Sequence, residues 1–360
     1  MVNVSEKTYQ KGKAMIKNTL EVYQMLGDEC SKEIYGQRIL LSLTKDEKYK
    51  DGIVCNGYVL NWLRARLQET SSRNVLLYGA GKRGTLISRL CPNMFMAIID
   101  EGLNKQGKLI NGLKVLSISE AIKEYSNPVV VISNKYEIGD IKNSLINWGI
   151  SEEDILELEP KLTESIRGQY FDLEELKPES NEVFIDCGAF DGDTSIAFMK
   201  WSNERFKHIY CFEPDVNNYT ICKNNLEKYI NREDITIINK GTWDSRKELN
   251  FSDTADVASH ICDEGQHRIE AVSLDEEILV KRNEKVTFIK MDIEGAELKT
   301  LKGARRIISE QHPKLAICVY HRPEDIFEIP EYIKTLNPNY KFYFRHYTLA
   351  EWDTVLYAIP

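Results

Sequence analysis

The stretch Val183-Phe184-Ile185-Asp186-Cys187-Gly188-Ala189-Phe190-Asp191-Gly192-Asp193-Thr194 decides the fold. An apolar run leads to an acid, then a glycine-bearing turn, then a helix start. Parallel strands covered on both faces need such near-continuous apolar runs. Gly188 lets the backbone approach a ligand closely, and Gly192 permits the turn its dihedrals. The N–H groups that open the following helix favour a carboxylate or phosphate. Yet Asp186, Asp191 and Asp193 make the loop acidic. Such a loop repels a pyrophosphate and suits a ligand with positive charge nearby.

The pattern repeats downstream. His208-Ile209-Tyr210-Cys211-Phe212 runs into Glu213-Pro214. An acid at the end of the second strand of such a unit accepts hydrogen bonds from the ribose hydroxyls, and Pro214 fixes the exit. Val286–Met291 delivers Asp292 and Glu294 to a strand's C-terminal rim, where open α/β sheets bind ligands. Two acids so close are costly if both face a dry pocket. One of them is read as a base, an amine contact or a metal support; helix capping by Glu294 and Glu297 is the structural alternative. Ile317–His321 and Phe344–His346 bring two histidines, each beside an arginine, to the same rim. Strands are expected at 183–187, 208–212, 235–239, 286–291, 315–320, 340–346 and 354–359. Helices are expected near 194–201, 216–229, 296–309 and 325–335. This alternation, closed by a strand pair without a helix between, predicts an α/β doubly wound sheet with an antiparallel C-terminal hairpin.

From about residue 180 to its end the chain resembles the FkbM-type family of S-adenosylmethionine-dependent methyltransferases. FIDCGAFDGDTS, CFEPD, NKGTWD, VSLDEE, IKMDIEGAE and YFRHYTLAEWDTVLYAIP carry the resemblance, in that order. It implies a class I methyltransferase sheet, S-adenosyl-L-methionine as cofactor, and a hydroxyl acceptor on a sugar, polyketide or similar metabolite. By position, Asp186, Gly188, Ala189 and Gly192 then form the cofactor loop, with Asp191 and Thr194 beside them. Glu213, with Pro214, holds the ribose. Trp243 falls where adenine contacts lie, and Asp292 lies near the methionine moiety. The catalytic base is not settled by the resemblance. A sugar hydroxyl is a poor nucleophile until its proton is removed. His321 is expected as the base, oriented by Asp292, Glu294 or Asp325, with His346 and Arg345 at the acceptor. The rival is a cation held by His321, His346 and one carboxylate; beyond that rival, no metal is assigned.

The first half reads differently. Residues 1–70 carry helical periodicity and no evident chemistry. Val75–Tyr78 then enters Gly79-Ala80-Gly81-Lys82-Arg83-Gly84, and Asp100 ends the next strand. That is a G-x-G-x-x-G match between strand and helix. With Val129–Ile132 it predicts a small Rossmann-like βαβαβ domain over 71–160. A linker at 161–180 precedes the methyltransferase domain at 181–360. Gly79, Gly81, Gly84 and Asp100 are second-site candidates for a nucleotide-sugar, or the domain is a docking module. Two alternatives stay open: an NAD(P)-dependent oxidoreductase using this loop, and a non-catalytic methyltransferase-like scaffold.

Bulk properties bound the rest. Two domains are expected of 360 residues. A net charge of -9 disfavours nucleic acid as partner. No apolar run approaches the about 18 residues that span a bilayer, and Met1–Leu20 has no apolar signal core. The eight cysteines include no CxxC pair, and several sit in apolar runs. They read as reduced thiols of a cytoplasmic protein. The acceptor is then a small molecule or saccharide. Eighteen tyrosines and a helical start are compatible with a homodimer.

Overall fold

The computed structural model describes residues 6–70, 72–229, 233–252, 260–261 and 267–360. Cys262 lies outside them. The chain divides into two compact units. One comprises residues 1–53, 167–346 and 350–360; the other comprises 54–166 and 347–349. The helical start expected as one segment is thus shared between units, and the Leu158–Gly168 helix enters the stretch read as a linker. Among the described residues no helix is long and apolar enough to cross a membrane.

The larger unit is built on seven strands: β1 (Glu182–Cys187), β2 (Phe206–Phe212), β3 (Ile235–Ile238), β4 (Phe288–Met291), β5 (Lys314–Cys318), β6 (Lys341–His346) and β7 (Thr354–Ile359). Their order is β6-β7-β5-β4-β1-β2-β3. All neighbours run parallel except β7, which pairs antiparallel with β5 and β6. This is the class I methyltransferase sheet with its closing hairpin. The strand order reverses around β1 and β4, so their C-terminal ends open a crevice there.

Alternation along β1 builds both faces. Val183, Ile185 and Cys187 join one core with Ile289 and Met291 of β4. Phe184 turns to the other face, stacking on Phe198 at 4.2 Å, with Phe288, Phe171 and Trp201 around the pair. The aromatic face fixes the Asp193–Trp201 helix against the sheet and so fixes the loop that precedes it. Cys187, Cys211 and Cys318 are buried free thiols, as their apolar settings predict.

Two features of this unit escape the sequence. A side sheet of Gly241–Thr242, Lys247–Ser252, His260–Ile261 and His267–Val272 lies beyond β3 in the chain. The helices Glu6–Gln24 and Glu29–Thr44 pack on the far end of the chain, at the Asp325–Leu336 helix and β6. Gly27 N–H donates to Phe342 O, and Phe342 N–H donates to Met25 O.

The smaller unit holds a six-stranded sheet in the order 109–110, 113–116, 97–99, 75–78, 129–132, 155–157. All pairs are parallel but the outermost hairpin. Ser117 and Glu120 form the expected capping box. A Cβ on Gly84 would lie 1.8 Å from Gly79 O, so the glycine allows the helix to press on the first strand's turn. Gly84→Ala is expected to cost about 1–3 kcal/mol by overpacking. Hydrogen exchange of the Val75–Tyr78 amides reads it, and unchanged protection would overturn the packing role.

Candidate functional site

The cofactor loop leaves β1 at Asp186, which is fully buried. Register places Lys290 of β4 directly beside it. Lys290 Nζ lies 3.0 Å from Asp186 Oδ1 and donates to Gly188 O at 2.7 Å. Ser195 Oγ donates to Asp186 Oδ2 at 2.8 Å. Both carboxylate oxygens are therefore used inside the protein. Asp186 anchors the loop from behind rather than facing a ligand, which departs from the expected contact. Burial opposes the charge on Lys290, but Asp186 and Asp292 outweigh it and hold the ammonium above its ordinary value.

The loop itself is tied to β2. Gly188 and Ala189 donate their N–H groups to Phe212 O, both at 3.0 Å. Gly188 has φ 78, and a Cβ there would lie 2.1 Å from Asp292 O. Gly192, φ 86, caps the next helix without a side chain. Asp191 Oδ1 accepts from Asp193 N–H, and half-burial raises its pKa. Thr194, half-buried, sits in the first turn of that helix.

Glu213 accepts from Phe190 N–H and Asp215 N–H, one on each oxygen, both at 2.9 Å. Burial pushes its carboxyl up to about 7 against those bonds. Each oxygen keeps a further lone pair, enough for two ribose hydroxyls. Asn239 Nδ2 donates to the carbonyls of Glu213 and Pro214 and holds the exit. Trp243 is half-buried, and its Nε1 has no hydrogen-bond partner among the described residues. Lys247 and Lys299 approach its ring at 5.0 and 5.8 Å.

Beside the loop, β4 ends at Asp292. Tyr170 donates to Asp292 Oδ2 at 2.8 Å and Tyr320 to Oδ1 at 3.2 Å. Glu294 and Gly295 are both left-handed, with φ 53 and 91. That double turn brings Glu294 back toward His321, which follows β5. His321 Nε2 lies 3.4 Å from Asp292 Oδ1 and 3.5 Å from Glu294 Oε2. Its Nδ1 lies 2.9 Å from Oε1 of the fully buried Glu297. Burial alone would discharge the ring, but Glu297, Asp292 and Glu294 raise it to about 9. At neutral pH His321 is then an imidazolium, not the resting base expected of it. Asp325 accepts from Arg322 N–H, and burial pushes it up to about 7. Asp353, pushed by burial and Asp292 to about 6, joins the same group electrostatically. Glu297, Tyr170, Tyr320 and Asp353 are the members that sequence reasoning does not assign to the site.

Residues 186–344 match the model of the methyltransferase FkbM domain. This segment belongs to the FkbM family of S-adenosylmethionine-dependent methyltransferases. Residues 71–156 match a second model, C2185-like, N-terminal. Among solved structures the chain is similar to a methyltransferase FkbM from Methylobacillus flagellatus KT, at 22% identity over 96% of this chain and 99% of that one, TM-score 0.47. It is similar at 11% identity to a putative rRNA-methylase from Clostridium thermocellum, over 54% and 95% of the two chains, TM-score 0.36. A third likeness is fibrillarin from Aeropyrum pernix in complex with S-adenosyl-L-methionine, at 15% identity over 55% and 74%, TM-score 0.33. No curated protein matches.

The two other rim candidates, which follow the matched segment directly, are engaged elsewhere. His346 is buried, with Nδ1 3.0 Å from Thr354 Oγ1, to which Arg38 also donates. Arg345 pairs with Asp28 at 2.6 Å. These contacts tie the N-terminal helices to the β6–β7 hairpin. In the smaller unit, Gly79 has φ 106 and Gly81 caps the Lys82–Leu90 helix with open space around it. Asp100 accepts from Ala80 N–H and Gly102 N–H and pairs with Lys105 at 2.9 Å. Those three partners leave Asp100 fewer free lone pairs for a ribose than the two partners of Glu213 leave there.

Proposed function

We propose that the FkbM domain moves the methyl group of S-adenosylmethionine to a hydroxyl of a saccharide or similar small polyol. The observation that carries the reading is the contact between Gly188 and Asp292 O, where a Cβ would sit at 2.1 Å. It sets the cofactor loop against the acid–histidine cluster with no room between. Donor and acceptor chemistry then share one rim. The acceptor oxygen attacks the methyl carbon, the C–S bond breaks, and its electron pair stays on sulfur as S-adenosylhomocysteine. The hydroxyl proton passes to the carboxylates of the cluster. Glu294, with a third of its side chain exposed, is the member from which it reaches water. Several carboxylates gathered at one rim also suit the donors of a polyol. The smaller unit, as a nucleotide-sugar or docking module, is consistent with that acceptor class.

A thermal-shift titration with S-adenosylhomocysteine is the direct test. A ligand at a hundred times its dissociation constant stabilises by about 2.7 kcal/mol. A shift is expected with S-adenosylhomocysteine and none with NADH. Methyl-labelled S-adenosylmethionine, offered with free and nucleotide-linked sugars, should then leave label as an ether. A shift with NADH alone would overturn the assignment. Label found on nitrogen would overturn the hydroxyl acceptor.

A further inference from the structure

Buried polar groups are nearly always satisfied, so an exception asks for an explanation. His321 is such an exception. Its side chain is 7% exposed, and neither ring nitrogen makes a hydrogen bond among the described residues. Nδ1 lies beside Glu297 Oε1 but off the line of a bond. Nε2 points between Asp292 and Glu294, whose nearest oxygens stand 3.4 and 3.5 Å away. That is the spacing of neighbouring donors on an ion with bonds of about 2.0–2.2 Å. One ligand atom each from Asp292, Glu297 and His321 falls within 4.8 Å of the others.

We propose that His321 Nε2, Asp292 and Glu294 bind one divalent first-row transition-metal ion at the rim of β4 and β5. The remaining cluster members take supporting places. With the ion bound, a small turn of the ring would let Glu297 Oε1, 2.9 Å from Nδ1, accept from Nδ1–H and fix the tautomer, as a carboxylate behind a metal-bound histidine does. Tyr170 and Tyr320 hold the Asp292 carboxylate by donating to both its oxygens. One imidazole and two carboxylates suit Mn²⁺, Fe²⁺ or Zn²⁺ better than an all-oxygen ion such as Ca²⁺. Three protein ligands leave positions open for an acceptor hydroxyl, whose proton the ion makes easier to remove. Binding displaces the ring proton, since a ligating histidine is neutral. The catalytic role of the ion rests on the proposed methyl transfer; its binding does not.

The test therefore reads binding. The full chain is stripped with a chelator and titrated with Mn²⁺, followed by the paramagnetic signal of the free ion, and with Zn²⁺ by calorimetry. One ion per chain is expected, bound at least tenfold more weakly in His321→Ala and in Glu294→Gln. Glu294→Gln changes a partly exposed side chain, so its fold is the least at risk. An S-adenosylhomocysteine thermal shift is run on every sample as a check of the fold and of the cofactor loop. Absence of a stoichiometric ion in wild-type protein that shifts with S-adenosylhomocysteine overturns the metal site and leaves the methyltransferase reading standing. Equal affinity in folded Glu294→Gln also overturns it. Ion binding without any S-adenosylhomocysteine shift would instead remove the catalytic role.

Discussion

Lys290→Met is expected to destabilise the larger unit by about 3–5 kcal/mol and to abolish S-adenosylhomocysteine binding. Methionine fills nearly the same space, so little of the cost is packing. The cost is Asp186, left fully buried with its ammonium partner removed. Breaking one side of a buried pair costs this much because the surviving charge has neither water nor partner. Gly188 O loses its donor at the same time. The loop keeps its bonds to Phe212 O, through Phe190 to Glu213 and from Asn225 to Asp191 O, but loses the tie that joins it to β4. The double variant Lys290→Met/Asp186→Asn removes both charges and should recover most of the loss. Hydrogen exchange of the β1 and β4 amides measures all four corners of the cycle. Additive effects would show that the pair does not act as a unit.

Glu213→Gln is expected to separate binding from stability. The native carboxyl sits at about 7, above the ordinary 4.5, because it is buried. Between those values the folded chain keeps a proton that the unfolded chain has released. Stability from this group therefore falls as pH rises from about 4.5 through 7, by on the order of 3 kcal/mol, and stays low above that. Glutamine does not titrate, so this part of the pH profile should flatten. Glutamine also presents an NH₂ where the ribose hydroxyls need acceptors. Two hydrogen bonds to a charged acceptor, each worth about 1.5–3 kcal/mol, weaken together. S-adenosylhomocysteine affinity at pH 8 should fall by about a hundredfold. Unfolding free energies from pH 4 to 8, beside calorimetric binding, check both halves. A variant that binds as wild type would remove Glu213 from the ribose site.

The seven-stranded sheet was legible because its central strands must be apolar on both faces. VFIDC, HIYCF and FIKM can hardly be anything else at their spacing. The side sheet was not: Lys247–Ser252 and His267–Val272 carry only one apolar face each, which alternates with charges and reads as loop. Lys290 was legible in principle. A lysine inside a buried apolar strand must have a buried acid beside it, and register alone names Asp186. The same bond inverts the expected role of Asp186: sequence places the acid at the loop but not which way its oxygens face. Glu297 escaped because the first turn of a helix is an ordinary place for glutamate. In fact its Oε1 accepts from Ile293 N–H while standing against His321, so it serves both readings. Tyr170 lies in a stretch without periodicity, and only tertiary packing brings it to Asp292. His346 and Arg345 misled for a related reason. Their partners, Thr354 and Asp28, belong to a hairpin strand and to the start of a helix far away in the chain.

That last distance has a consequence for how the protein is made. Ser31 Oγ accepts from Phe344 N–H across 313 residues of sequence. A ribosome adding about 5–20 residues per second needs roughly 15–60 s to supply that partner. Until then Ile34 and Tyr35, both fully covered in the finished molecule, have no strand to pack on. The nascent chain thus carries the uncovered Ile34 and Tyr35 through nearly its whole synthesis, while the intervening smaller unit has all but three of its residues and is free to fold first. A trigger-type chaperone should engage these residues during that wait and let go only when β6 leaves the exit tunnel.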